Sequence, residues 1–221
     1  MVLDIDTTVP EVIRIASDAT FVCFKITPYV TLSIVVFALL TIMVIYMPGI
    51  REIDTEMLKA VRKFLGQFPN YIPVFFSNYG GVGNFWWPQI TAGAVLVSHR
   101  KYLKAFLLIF FTQGSYILVD HIKNMIGRDR PTLHAGYSFP SGHTTTSMCF
   151  YGIIIYLIMH YVRSQFWRIF LSIFFGLIIF FVALSRMWLN VHFLTDVLAG
   201  LFLGFLVVNV YILVDKFFAR G

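Results

Sequence analysis

Long apolar runs separated by short polar ones set the rhythm of the chain. The strongest runs fall near residues 29–47, 103–122, 144–161, 166–185 and 192–214, and each approaches or exceeds the ~20 residues that cross a bilayer as a helix. A weaker run at 84–98 is entered through Gly80-Gly81-Val82-Gly83, with Trp86 and Trp87 as interfacial anchors. The pattern predicts six spanning helices. Between the first two lies a polar stretch, 50–70, where Ile53, Met57, Val61, Leu65 and Phe68 recur at helical spacing and Glu56, Lys59 and Lys63 occupy other faces. That spacing predicts an amphipathic helix on the membrane surface, with a plain solvated connector as the alternative. Residues 1–26 are mixed and mildly acidic and read as a surface leader, a short helix at the membrane edge. The first span follows a polar leader too long for an n-region, and no small-residue cleavage site follows Tyr46, so it is expected to be retained. No internal repeat is visible.

Composition strengthens this reading. Of 221 residues 58% are hydrophobic and 13% charged, against roughly 25% charged in a soluble domain. A water-soluble fold of this length could not hide so much apolar surface. No linker of biased composition divides residues 1–221, so a single domain is expected, an all-α polytopic bundle. The net charge of +6 fits Lys and Arg gathered in short loops beside anionic headgroups better than nucleic-acid binding, which is not expected. Cys23 and Cys149 sit in apolar contexts without metal-ligand spacing and read as inert thiols.

The loop charges suggest an orientation. Arg100, Lys101, Lys104, Arg163, Arg168, Lys216 and Arg220 share one side if the helices number six. That side, with both termini, is then cytoplasmic. Lys123, Arg128, Arg130 and Arg186 fall on the other side against the rule, which marks them as kept for function. The compact chain, with short loops, suggests a multi-pass protein of a bacterial plasma (inner) membrane.

Three segments at these non-cytoplasmic helix ends carry chemistry. The first runs from Lys123 to Arg130-Pro131, the second is Pro140-Ser141-Gly142-His143, and the third is Ser185-Arg186 followed by His192 and Asp196. They match, without departure, the three-part signature of the type 2 phosphatidic acid phosphatase family, of the acid phosphatase/vanadium haloperoxidase superfamily. That signature is Lys, six residues, Arg-Pro; Pro-Ser-Gly-His; and Ser-Arg, five residues, His, three residues, Asp. Its eleven fixed positions would coincide by chance on the order of 10⁻¹⁴ per placement. The resemblance covers about residues 70–215 and implies six helices, an active site at the non-cytoplasmic face, and hydrolysis of a phosphate or pyrophosphate on a membrane lipid. By resemblance His192 is the nucleophile that becomes phosphohistidine, Asp196 orients it, and His143 is the general acid and base. Relatives of this size act on undecaprenyl pyrophosphate, phosphatidylglycerol phosphate, phosphatidic acid or lipid A phosphate.

The residue types suit that chemistry. A transferring phosphoryl group spreads charge over its equatorial oxygens. Lys123, Arg130 and Arg186 supply three cations, the arginines with bidentate reach. Ser141 and Gly142 lie just ahead of a helix N-terminus, where free N–H groups and the helix dipole favour an anion. His192 and Asp196, four apart, share a helix face, so the carboxylate can fix the imidazole tautomer. With these cations present no divalent metal and no cofactor is needed, and no cluster of Asp or Glu stands ready to hold a metal.

Other polar residues read more plainly. His99, His121 and His160 suit headgroup contacts, His134 a structural place in the site loop, and Thr144, Thr145 and Thr146 the filling of a first helical turn. Asp120 either sets the position of Lys123 or is an interfacial carboxylate; Arg128 and Asp129 are candidates for substrate contact. Two rival activities use the same frame: phosphotransfer to a non-water acceptor, and a non-enzymatic lipid carrier or scaffold.

Overall fold

The computed structural model describes residues 5–79 and 86–218, with side chains from Ile26 onward. The leader's side chains, the Gly80–Gly83 approach and Arg220 lie outside the described residues. Among the described residues eight helices run in order: α1 (Ile5–Tyr46), α2 (Ile50–Leu65), α3 (Tyr71–Asn78), α4 (Trp86–Ser98), α5 (Tyr102–Ile126), α6 (Gly142–Tyr161), α7 (Gln165–Trp188) and α8 (Leu194–Phe218). No strand occurs among the described residues.

Four of these, α5, α7, α8 and the Ile26–Tyr46 part of α1, are long and apolar enough to cross a membrane. The span expected at 84–98 is α4, whose 13 residues rise only ~20 Å against a hydrocarbon core of ~30 Å. Helix α6 has the length, but its first turns are Gly142-His143-Thr144-Thr145-Thr146-Ser147, polar residues that lower its apolar character. The segment at 50–70 contains α2, as the periodicity predicts, followed by the short α3, which apolar periodicity did not separate from its loop.

Burial is inverted relative to a soluble protein. Leu32, Val35, Leu39 and Ile42 of α1, and Phe166, Phe170, Ile173, Phe174 and Leu177 of α7, face outward, while Thr144, Thr145, Thr146, Ser147, Ser185, Thr195 and Asp196 are buried. Exposed apolar surface on this scale calls for a lipid surround. Helix α6 is central and packs on α5, α7 and α8. Its close approach to α8 depends on glycine. A Cβ at Gly204 would meet the Thr145 carbonyl oxygen at 2.6 Å, and one at Gly200 would meet that of Ser141 at 2.8 Å. Small residues let the two backbones touch, and the Ser141 N–H then donates to the Asp196 carbonyl at 3.0 Å.

Helix α2 lies against α7 and α8. Leu58 packs with Ala183, Met187, Phe193 and Val197, while Ile53, Met57 and Phe64 remain exposed. Three of the residues that periodicity assigned to one apolar face, Ile53, Met57 and Phe68, are thus exposed, and the inward face of α2 is Ile50, Asp54 and Leu58.

Candidate active site

Helix ends build the site. Helix α5 stops where Gly127 turns left-handed (φ 66) and caps the Lys123 carbonyl at 2.9 Å, the usual glycine stop. The following loop folds back on itself: the Ser138 N–H donates to the Arg128 carbonyl at 2.7 Å, and Arg130 Nε to the Gly136 carbonyl at 3.0 Å. Thr132 Oγ1 ties this loop to the Asn190 carbonyl at 3.0 Å. Asn190, with φ 59, makes the sharp turn after α7. There the N–H groups of Val191 and His192 return to the Arg186 carbonyl at 3.1 and 3.3 Å.

These turns bring four helix ends to one cleft of about 480 Å³. Lys123 from the end of α5, Arg130 from the loop, Gly142 and His143 from the start of α6, Arg186 from the end of α7, and His192 ahead of α8 all line it. Asp120 is the one carboxylate among its lining residues, and none of the three cations forms a salt bridge among the described residues. Asp120 and Lys123 form no ion pair. Arg186 donates to Ser77 Oγ of α3 through Nη1, and its buried Nε has no hydrogen-bond partner. An unspent guanidinium donor beside a cluster of uncancelled cations is an environment for an anion.

Two sequence candidates stand behind the cleft. Ser141 is fully buried, and its hydroxyl meets Thr144 Oγ1 at 2.9 Å, so its side chain braces the first turn of α6. Asp196 is fully buried too. Its Oδ2 accepts the Phe193 N–H at 2.8 Å, one half of a capping box on α8, and lies 3.6 Å from His192 Nδ1. That separation suits an ion pair but exceeds a hydrogen bond, and Nδ1 has no hydrogen-bond partner. Burial pushes the His192 imidazole down to about 4 against the pull of Asp196, and Arg186 and Lys123 add to the fall. The ring is therefore neutral at pH 7, with a lone pair on the nitrogen that does not hold the proton.

Arg128 is the main surprise. It does not line the cleft. The αL turn at Gly127 sends it toward the start of α8, where Nη1 reaches Asp196 Oδ1 at 2.6 Å and Thr195 Oγ1 at 2.7 Å. Nη2 reaches Asp54 Oδ2 of α2 at 2.7 Å, and the guanidinium sits 4.5 Å from the centre of the Phe193 ring. Ser77 and Asn78 of α3, with Tyr116, Asn124 and Tyr137, also line the cleft without having been singled out. Asp54 had a readable signal, since it interrupts the apolar series Ile50, Leu58, Val61 and Leu65; Ser77 and Asn78 had none, because only tertiary packing of α3 brings them in.

Phosphatidylglycerophosphatase B of Bacillus subtilis (strain 168) is 29% identical over 185 residues, which cover 80% of this chain and 91% of that protein. A crystal structure described as the first transmembrane PAP2-type phosphatidylglycerolphosphate phosphatase, from Bacillus subtilis, superposes with a TM-score of 0.77 at 25% identity. That match covers 85% of this chain and 96% of that one. The Aquifex aeolicus LpxE crystal structure shares the fold at a TM-score of 0.56 and 19% identity, covering 72% of this chain and 93% of its own. Residues 102–219, from the start of α5 to the end of α8, match the PAP2 superfamily model. They carry every element of the cation-lined cleft except Ser77 and Asn78, and the chain belongs to the PAP2 superfamily.

Proposed function

We propose that the protein is a metal-independent membrane phosphatase that hydrolyses a phosphomonoester or pyrophosphate on a lipid through a phosphohistidine intermediate. One observation carries the reading. Three cations without ion-pair partners converge with two histidines on a single cleft at the end of an apolar bundle. Such a site recognises a phosphate, and such a surround recognises a lipid.

In this mechanism Lys123, Arg130 and Arg186 hold the equatorial oxygens as charge builds. Nε2 of His192, the nitrogen turned away from Asp196, attacks phosphorus as the bond to the leaving oxygen breaks. His143 donates a proton to that oxygen, then accepts one from the water that cleaves the phosphohistidine. Asp196 stabilises the imidazolium formed in the first step. Ser141 and Gly142 present the N-terminal end of α6 to the anion, Ser141 through its backbone. The cation set replaces the charge neutralisation a metal would supply.

The arrangement in the bilayer follows from the same premise. Helices α4 and α6 complete six crossing segments, α6 sheltered by its neighbours, with both termini cytoplasmic and the cleft on the opposite face. Helix α2 rests at the interface, its exposed Ile53, Met57 and Phe64 toward lipid. Phosphatidylglycerophosphate is the first substrate to try, given the named activity of the Bacillus subtilis relatives. The test is phosphate release by wild type and His192→Ala in detergent with EDTA, across a panel of lipid mono- and pyrophosphates. Release by wild type alone is the expected result. Equal release by both, or release only with added divalent metal, overturns the nucleophile or the metal-free claim respectively.

A further inference from the structure

Asp54 is a buried acid far outside the signature segments. It is 1% exposed on a helix whose other acids and bases face outward. It accepts the Thr195 N–H at 3.1 Å and the Thr195 hydroxyl, so a side chain of α2 satisfies a free N–H in the first turn of α8. The second oxygen also takes Arg128 Nη2 at 2.7 Å, while Nη1 of the same guanidinium holds Asp196 Oδ1 at 2.6 Å. One planar fork therefore bridges two carboxylates, one on a surface helix and one behind the active-site histidine. With Oδ1 held by Arg128 and Oδ2 by the Phe193 N–H, Asp196 has no free rotation and presents Oδ2 to His192.

We infer that Arg128 and Asp54 are positioning residues for the phosphoryl-transfer reaction, which lock the orientation and charge of Asp196 and thereby make α2 part of the catalytic apparatus. The inference rests on the phosphatase reading above. Arg128 draws negative charge away from the imidazole, and Asp54 limits how strongly it does so by sharing the guanidinium. Buried carboxylate–arginine–carboxylate arrangements are costly unless every partner is present, which gives each substitution a distinct electrostatic signature.

The groups facing His192 set the background: Asp196 on α8, Arg186 on α7, Lys123 on α5 and His143 on α6. Removing Arg128 frees the full charge of Asp196 toward the ring, stabilises the imidazolium and moves the acid limb of kcat/KM to higher pH. Neutralising Asp54 leaves Arg128 to Asp196 alone and moves the limb to lower pH. The substrate is common to all variants, so its own phosphate ionisation cancels in the comparison.

The experiment measures pH–rate profiles and the vanadate Ki for wild type, Arg128→Gln, Arg128→Lys and Asp54→Asn in detergent, with short-chain phosphatidic acid as substrate and His192→Ala as control. Arg128→Gln should lower kcat about 10- to 100-fold, the usual cost of losing an outer-shell partner, with Ki unchanged. Its acid limb should rise by roughly one unit, that of Asp54→Asn should fall, and that of Arg128→Lys, which keeps the charge, should stay with wild type. Limbs that do not move in opposite directions, or a Ki that rises with KM in Arg128→Gln, overturn the inference; the second result makes Arg128 a substrate contact. If Arg128→Gln does not yield folded protein, the signs for Asp54→Asn and Arg128→Lys decide alone. No turnover by wild type sinks the phosphatase reading and turnover by the His192→Ala control sinks the nucleophile, so these failures are distinguishable from that of the inference.

Discussion

Helix α8 carries a buried carboxylate near each end, and the two are treated differently. Asp215, near the C-terminal end, has a partner on each oxygen: Lys104 of α5 takes Oδ1 and the Tyr156 hydroxyl of α6 donates to Oδ2 at 2.9 Å. Asp196, near the N-terminal end, is held by Arg128 and the Phe193 N–H, yet one oxygen still faces a histidine 3.6 Å away. Beyond that histidine lie three cations that form no ion pair among the described residues. The same pairing of a buried acid with a base is thus a clasp at one end and a poised charge at the other. What separates them is whether the surrounding charges sum to closure or leave a deficit that a phosphate would fill.

Substitutions can break this contrast. The largest effect among them is expected from Asp196→Asn, which keeps shape but removes the charge that stabilises the imidazolium; kcat should fall by about 10³- to 10⁴-fold, as for orienting carboxylates elsewhere. A loss below tenfold would place Asp196 with Asp215 as a structural acid. Arg186→Ala should cost about 10²- to 10³-fold in kcat and weaken vanadate inhibition as well, because its side chain lines the cleft. An unchanged vanadate Ki would remove Arg186 from the anion's shell.

Acidity sharpens the contrast in a different way. His192 sits at about 4 when folded, below its ordinary value of 6.5, because burial penalises the charged ring. Between those values the unfolded chain binds a proton at this position that the folded chain does not, so stability falls as pH drops from 6.5 to about 4 and levels off below. The thermal midpoint of wild type should therefore fall more steeply over that window than that of His192→Gln. Parallel curves would contradict the burial argument. The smallest effect on turnover is expected at the closed end. Lys104→Met strands Asp215 and should destabilise by about 3–5 kcal/mol, while kcat of the folded fraction stays within about twofold of wild type. A large kcat loss at full folding would mean that the two ends of α8 are coupled.

Much of this arrangement is legible in the chain. Apolar runs and the three signature segments locate the long helices, and they assign Lys123, Arg130, Gly142, His143, Arg186 and His192 to a common site, which is where the fold brings them. Helix ends are written locally, in Gly127, in the Ser141-Gly142 start of α6 and in the Asp196 capping position, so the residues beside them could be read. Asp54 and Ser77 could not be assigned in this way. Their places depend on how α2 and α3 dock on α7 and α8, and docking of short amphipathic pieces leaves only a weak periodic trace. Arg128 was visible within the first signature segment, but its direction was not: a turn of one residue at Gly127 decides whether it meets substrate or Asp196. The run at 84–98 forms α4, whose 13 residues are fewer than those of the four long apolar helices.

In the proposed mechanism His192, behind a ring of cations, becomes phosphorylated. Rapid quenching of the protein during turnover of a lipid labelled with ³²P in its terminal phosphate tests it directly. The expected result is label on the protein that survives alkali, is lost in acid, maps to His192 and is absent from His192→Ala. Wild type that turns over at full rate without such label, or label that persists in His192→Ala, would contradict it.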